Sequence, residues 1–382
     1  MPVFTPEQEA LSATARQVVR DRIAPIARRI EDTGEHPYDL LDLYRALGWD
    51  SITKPVLYGG PGGGVTEWCL LMEAIAECSL ACAHLLIHPS FHLMLDRLGS
   101  ADQKEKWFGV FDERWGAFLA SEPEAGSDVA AVTTSAVQKN GYFVLNGRKS
   151  WISNGEYADL FAVVATVEPG SGAPGLRLFL VDGRESQGIV VERSERLMGL
   201  RGSSAAQLLL DNVEVPAENM LVREGGTKDF VEFITATRPH VGAQAVGLAR
   251  GAMECALRYT RERRQFGRPV FEFQAISHMI ADMAIGIEAA RELVYAAARE
   301  SDTDGPRRGE LAAMCKVFAA DMAMRVTTDA VQCLGGAGYT VDYPVERMMR
   351  DAKVLQIYEG TCQVLRGQVA AQLSRRMKQP AG

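Results

Sequence analysis

Ala117-Phe-Leu-Ala-Ser-Glu-Pro-Glu-Ala-Gly-Ser-Asp128 is where the chain changes period. Before it, apolar residues recur every three or four positions, as on an amphipathic helix. After it they alternate, as on a strand. Pro123 and Gly126 bend the chain just beyond the first strand, 117–120. Ser121 and Ser127 offer hydroxyls and backbone donors there, and such a bend suits the polar edge or phosphates of a ligand. Alternation continues through 131–139, 142–147, 160–167, 176–181, 189–193 and 206–215, with Asn140-Gly141 as the strongest hairpin signal. About seven short strands in about 110 residues predict a small antiparallel sandwich or barrel.

The flanks are helical. Thr5-Pro6-Glu7-Gln8 supplies an N-cap, a proline at the first helical position and an acidic first turn, and Leu11, Val18, Val19, Ile23, Ile26 and Ile30 follow at helical spacing. Leu40, Leu41, Leu43, Tyr44 and Leu47 carry a second helix that ends at Gly48. Tyr58-Gly-Gly-Pro-Gly-Gly-Gly64 then separates it from apolar helices over 66–82 and 83–98. Beyond 228 the segments are long, 228–262, 270–300, 307–334 and 361–376, and predict an up-and-down bundle. The expected class is α+β: an N-terminal helical domain over 1–116, a central β-domain over 117–227 and a C-terminal four-helix bundle domain over 228–382. The absence of βαβ alternation excludes a Rossmann core. Gly170-Ser-Gly-Ala-Pro-Gly175 matches G-x-G-x-x-G but leads into a strand, so it reads as a hairpin turn.

Composition narrows the function. The 382 residues are 47% hydrophobic and 24% charged, with a net charge of -8 and both signs mixed along the chain. That balance excludes a nucleic-acid binder working by phosphate neutralisation. No run of about 18 apolar residues exists to span a membrane, and the first residues lack a secretory pattern, so a cytoplasmic protein is expected. Seven cysteines without paired spacing read as reduced thiols. Cys78 and Cys82 face away from His84 and His88 on a common helix at about 100° per residue, so no metal site is expected.

Four further stretches carry chemistry. Asn146-Gly-Arg-Lys-Ser-Trp-Ile-Ser-Asn-Gly155 sets an indole beside a serine hydroxyl, which is either a core tryptophan before a turn or a pairing that suits a flat heterocycle. Arg261-Glu-Arg-Arg-Gln-Phe-Gly267 ends a long helix either as a solvated turn that complements the helix dipole or with guanidinium groups whose planar forks match a diphosphate. Gln332-Cys-Leu-Gly-Gly-Ala-Gly-Tyr339 closes another helix with glycines that let backbone approach a ligand. In Leu355-Gln-Ile-Tyr-Glu-Gly-Thr-Cys-Gln363, Glu359 follows aliphatic and aromatic residues, Gly360 breaks the incoming helix and Thr361 caps the next. A carboxylate projecting from such a junction is, taken alone, either a solvated loop residue beside a cap or a base placed to reach a substrate.

Taken in this order, these stretches resemble the acyl-CoA dehydrogenase family over nearly the whole chain. The resemblance rests on Ser121-Glu-Pro-Glu-Ala-Gly-Ser-Asp128, Trp151-Ile-Ser-Asn154, Arg263-Arg-Gln-Phe-Gly267, the stretch from Gln332 to Tyr339, and Tyr358-Glu-Gly-Thr361. Tyr343-Pro-Val-Glu-Arg-Met-Met-Arg-Asp-Ala-Lys353 adds to it. It implies α,β-dehydrogenation of an acyl thioester with FAD, held between the β-domain and the bundle at a subunit interface. It also implies Glu359 as the base that removes the α-proton. The flavin is then lined by Phe118, Leu119, Ala120, Ser121, Ser127, Trp151, Ile152 and Ser153. In the family, bundle residues serve the FAD of the neighbouring subunit. That role falls here to Arg263, Gln265, Phe266, Gln274, Gln332, Gly335 and Gly336, with Thr361 and Gln363 completing the site. The thioester falls to Ser127, Thr235, Arg238, Tyr358 and Gly360. Implied partners are acyl-CoA, an electron-transfer flavoprotein as acceptor, and further copies of the chain, with a tetramer usual. An acyl-carrier-protein dehydrogenase or an oxidase on the same fold is the alternative, and a non-catalytic thioester-binding relative a remoter one. The chain departs from the family's commoner residues at Glu124 (glycine), Ser153 (threonine) and Thr235 (aspartate).

Overall fold

The computed structural model describes residues 3–221 and 227–378. The outer ends of the expected first and third domains, and the run 222–226 within the second, lie outside them. The amino-terminal region packs α1 (Pro6–Val18), α2 (Ala24–Thr33), α3 (Tyr38–Ala46), α4 (Val65–Ala76), α5 (Leu80–Leu85), α6 (Pro89–Leu98) and α7 (Ala101–Glu113). Thr5 caps α1 in a capping box with Gln8, as its sequence predicts. A π-helical turn, Val19–Ile23, joins α1 to α2. The single helix expected over 66–82 is two, because the Ser79 side chain accepts from Cys82 N (3.3 Å) and starts α5 anew.

The strands β1 (Gly116–Leu119), β2 (Ser135–Lys139), β3 (Tyr142–Ser153), β4 (Leu160–Thr166), β5 (Leu176–Asp182), β6 (Ile189–Ser194) and β7 (Ala205–Pro216) form one seven-stranded sheet. The sheet differs in one respect from the antiparallel expectation. β1 runs parallel to β4 (Gly116↔Leu160 to Leu119↔Val163), and β2 meets the same edge of β4 at Ser135↔Thr166. The β2–β3 hairpin lies between β1 and β4 in sequence, so β1 reaches β4 by a crossover rather than a turn. β4 alternates between two cores. Leu160, Ala162 and Val164 join the core that packs on the helices, while Phe161, Val163 and Ala165 join the interior of the curled sheet. Gly170–Gly175 is the turn between β4 and β5, as expected.

The carboxy-terminal helices are α8 (Thr227–Thr237), α9 (Pro239–Glu262), α10 (Gln274–Asp302), α11 (Arg308–Leu334), α12 (Val345–Leu355) and α13 (Cys362–Lys378). A two-stranded hairpin, β8 (Arg264–Gln265) with β9 (Arg268–Pro269), follows α9. The helix expected over 228–262 is interrupted because Pro239 opens α9 at its first position. α12 is a further helix that the bundle expectation lacked. α9 lies against α4 closely enough that a Cβ at Gly247 would stand 2.1 Å from Glu73 O. Glu73 itself is buried and accepts from Arg250 Nη1 (2.5 Å), Arg291 Nε (2.9 Å) and the Tyr295 hydroxyl (2.6 Å). Burial opposes its charge, but the two arginines outweigh burial and hold its pKa below the usual range. At the other end of α4, Asp302 accepts from Val65 N (2.5 Å) and from Thr66 N (3.1 Å). The amino- and carboxy-terminal helices therefore share one apolar core.

Candidate active site

The turn between α12 and α13 is built from two successive left-handed residues, Glu359 (φ 55) and Gly360 (φ 92). The first is strained for a side chain with a Cβ, by roughly 1–3 kcal/mol, and persists only where its surroundings enforce it. Two buried cations do so. Arg238 Nε donates to Glu359 O (3.2 Å), and Lys316 Nζ donates to Gly360 O (2.7 Å). Arg238 Nη1 is anchored on Thr235 Oγ1 (3.3 Å) and Gln368 Oε1 (3.0 Å). Thr361 Oγ1 accepts from Val364 N (3.2 Å) and starts α13, as its sequence predicts.

This turn presents a carboxylate with unused capacity. Glu359 Oε2 is buried and has no hydrogen-bond partner among the described residues. Burial raises its pKa above the ordinary carboxylate value, with Arg238 and Lys316 pulling the other way. Burial also lowers the Lys316 pKa, to about 8. An unsatisfied carboxylate with raised basicity at an element's end can take a proton from carbon, a task that solvated carboxylates do poorly.

A second group lies on the sheet. A register shift between Lys149 and Ile152 in the β3–β7 pairing, with positive φ at Trp151 (62) and Asn154 (57), turns the Trp151 indole outward. It is 61% exposed, although Ile152 beside it is buried. Ser153 Oγ lies 2.9 Å from His84 Nε2. The bend after β1 is tied to the same strand by Ser150 N donating to Ser121 O (2.9 Å). Underneath, Lys149 Nζ reaches Glu122 Oε1 (2.9 Å), Ala120 O (3.2 Å) and Val164 O (2.7 Å). Glu122 also accepts from Thr133 N (2.8 Å) and Thr134 N (2.9 Å). Burial opposes the Glu122 charge, yet Lys149 and the threonines lower its pKa to about 2. This buried pair fixes the bend that displays Ser121 and the exposed Ser127. Phe118 stacks on Phe230 (5.4 Å, 9°), while Leu119 is fully buried, so only its backbone can face a ligand.

The bundle residues form a third group: Arg263, Gln265, Phe266, Gln274, Gln332, Gly335 and Gly336 are all exposed. Phe266 is 92% exposed at φ 52 on the β8–β9 hairpin, and a Cβ at Gly335 or Gly336 would meet nothing within 4 Å. No hydrogen bond or ring contact joins this group to Trp151, Ser153 or Glu359 among the described residues. Gln363 is likewise exposed. Within one chain the structure thus gathers Thr235, Arg238, Tyr358, Glu359 and Gly360, and also the β-domain set, with His84 between Ser153 and the Tyr358 ring joining the two.

An uncovered indole beside a hydroxyl, with open glycine backbone and exposed guanidinium and amide groups elsewhere, fits the ring and diphosphate of FAD. A cleft of about 740 Å³ between the amino-terminal helices, α9 and α12 shares no lining residue with these groups. Among the described residues no group of His, Cys, Asp or Glu could hold a metal ion.

Sequence reading missed Lys149, Lys316, His84 and Gln244. Two signals were available. Lys149 shares strand parity with the inward Phe143 and Leu145, and Lys316 falls on the Ala312, Ala320, Ala323 stripe of α11. The sequence raises His84 only as a metal-ligand candidate, and nothing in it marks Gln244.

Comparisons with known proteins agree along the length of the chain. The models of the amino-terminal, middle and carboxy-terminal domains of acyl-CoA dehydrogenase match residues 5–110, 117–213 and 224–374. A cyclohex-1-ene-1-carbonyl-CoA dehydrogenase of Syntrophus aciditrophicus is 41% identical over 371 residues, 96% of this chain and 89% of the relative. Butyryl-CoA dehydrogenase of Megasphaera elsdenii superposes with a TM-score of 0.94 at 36% identity, over 98% of this chain and all (100%) of that one. A chain in the structure of an electron transferring flavoprotein of Acidaminococcus fermentans does so with a TM-score of 0.93 at 39% identity, over 98% and 100%.

Proposed function

The chain belongs to the acyl-CoA dehydrogenase family of FAD-dependent oxidoreductases, and from that premise we propose that Glu359 removes the α-proton of an acyl-CoA thioester. The observation that carries this is the buried, unpartnered Glu359 Oε2 on a turn held by two cations. FAD, when bound, supplies the acceptor for the two electrons and the β-hydrogen.

The chain's own residues do the rest. Glu359 takes the proton at a carboxylate oxygen that burial has made more basic. Its backbone N–H is available to the thioester carbonyl as charge develops there. Arg238 and Lys316 hold the turn so that the carboxylate keeps its direction, and their charges pull against the rise in its pKa that burial causes. Trp151 offers a face for the flavin ring and Ser153 a hydroxyl at its edge. Arg263, Gln265, Phe266, Gln274, Gln332, Gly335 and Gly336 serve the diphosphate and adenine end of a second copy's site, which their exposure in one chain supports. A shared site makes the working unit at least a dimer, with an electron-transfer flavoprotein as acceptor. No helix among the described residues is long and apolar enough to cross a membrane. All seven cysteines are free thiols, which supports a reducing, cytoplasmic setting.

The test is anaerobic titration of the purified yellow protein with acyl-CoA thioesters, followed in the visible band. Bleaching by a thioester is the expected result. A protein that takes up no FAD, or whose flavin no thioester reduces, would sink the proposal.

A further inference from the structure

Beside the base, buried polar side chains cluster around Tyr358, and their hydrogen-bonding capacity is not used up. Gln244 and His240 stand one helical turn apart on α9, and His84 comes from α5. The Tyr358 hydroxyl donates to Gln244 Oε1. The Gln244 amide nitrogen is left with only the Met72 thioether, at 3.6 Å, although Gln244 is fully buried. The His84 ring lies 5.4 Å from that of Tyr358. Its Nε2 is occupied by Ser153, but its Nδ1 is buried without a partner among the described residues. His240 Nδ1 is taken by Thr237 O, and its ring stacks on Trp68 at 4.2 Å.

Leaving a buried amide or imidazole short of a partner destabilises a protein. An aliphatic wall would hold an alkyl chain without that penalty, and an alkyl chain gives these groups nothing back. Resting on the acyl-thioester reading above, we propose that the acyl group carries an uncharged oxygen, a hydroxyl or carbonyl, that hydrogen-bonds to the Gln244 amide and His84 Nδ1. Gln244 and His84 are then specificity-determining residues.

The oxygen is uncharged because no free cation among the described residues faces the cluster. Burial holds both imidazoles neutral, lowering His84 to about 4 and His240 to about 3. Arg238 and Lys316 are engaged on the Glu359 and Gly360 carbonyls. An acyl carboxylate would stand near Glu359 with nothing to balance it.

The experiment compares kcat/KM for hexanoyl-CoA with that for its isomers hydroxylated beyond Cβ, in the holoenzyme and in Gln244→Leu and His84→Leu. The ratio of two thioesters within one preparation cancels any loss of folded protein. At least one hydroxy isomer is expected to exceed hexanoyl-CoA by about tenfold or more, since a site built to bond an oxygen rejects the analogue without it. Each leucine variant should erase or reverse that preference. A wild type that prefers hexanoyl-CoA, or ratios that neither variant changes, would overturn the inference and leave the dehydrogenase reading intact. Bleaching by no thioester at all would overturn both.

Discussion

Glu359 is the residue on which the chemistry turns, and its surroundings predict how it responds. Replacing it with Gln keeps the shape and removes the base, so flavin reduction by substrate should slow by about 10²–10⁴-fold, while FAD content stays unchanged; stopped-flow absorbance measures the first and the visible spectrum the second. The base works ionised. Its folded pKa lies above the ordinary value, so the rate should rise with pH through that raised pKa rather than near the value of a free carboxylate. Lys316 lowers that pKa by its charge. Lys316→Met should therefore move the acid limb of the rate profile to higher pH, and an unmoved limb would show that the lysine acts only through Gly360 O. Glu359 was legible in the sequence because an acid followed by Gly-Thr sits between an apolar run and a helix start. The cations that hold it were not. They come from the α8–α9 junction and from α11, 121 and 43 positions earlier in the chain, and only the folded bundle brings them to one turn.

At the scale of elements, the bend after β1 is held in place by the Lys149–Glu122 pair beneath it. Removing one member leaves the other buried and uncompensated, so Lys149→Met should lower stability by about 3–5 kcal/mol in denaturant unfolding, and Glu122→Gln in the same chain should recover part of the loss. The pH dependence follows from Glu122. Its pKa is lowered on folding from 4.5 to about 2, so its contribution is complete above pH 4.5 and is lost as pH falls towards 2. Acid unfolding of the wild type should accordingly steepen in that window, and of the double variant less so. Element type was mostly legible, because period 2 and period 3.6 are local properties. Breaks such as Ser79 and Pro239 and the parallel β1–β4 edge were not read. The first two were local signals overlooked within apolar runs, whereas the third depends on pairing across the sheet, which no local pattern encodes.

For the whole molecule, the exposed bundle group predicts complementation. Glu359→Gln and Arg263→Ala should each be poorly active alone. Subunits of the two reassociated together should regain activity, because a mixed pair contains one site with both residues intact. Failure to regain it, with mixed oligomers shown by native mass spectrometry, would place Arg263 in its own subunit's site. Three successive homology segments suggest three units, yet the described residues hold two cores: one joins the helices of both ends, and one fills the curled sheet. β4 belongs to both, with Val163 facing one and Val164 the other. Two neighbouring valines on a single strand are thus natural reporters for separate thermal events. If the sheet interior and the helical core loosen at different temperatures, the methyl signals of Val163 and Val164 will broaden at different points of a melt, although one peptide bond separates the residues.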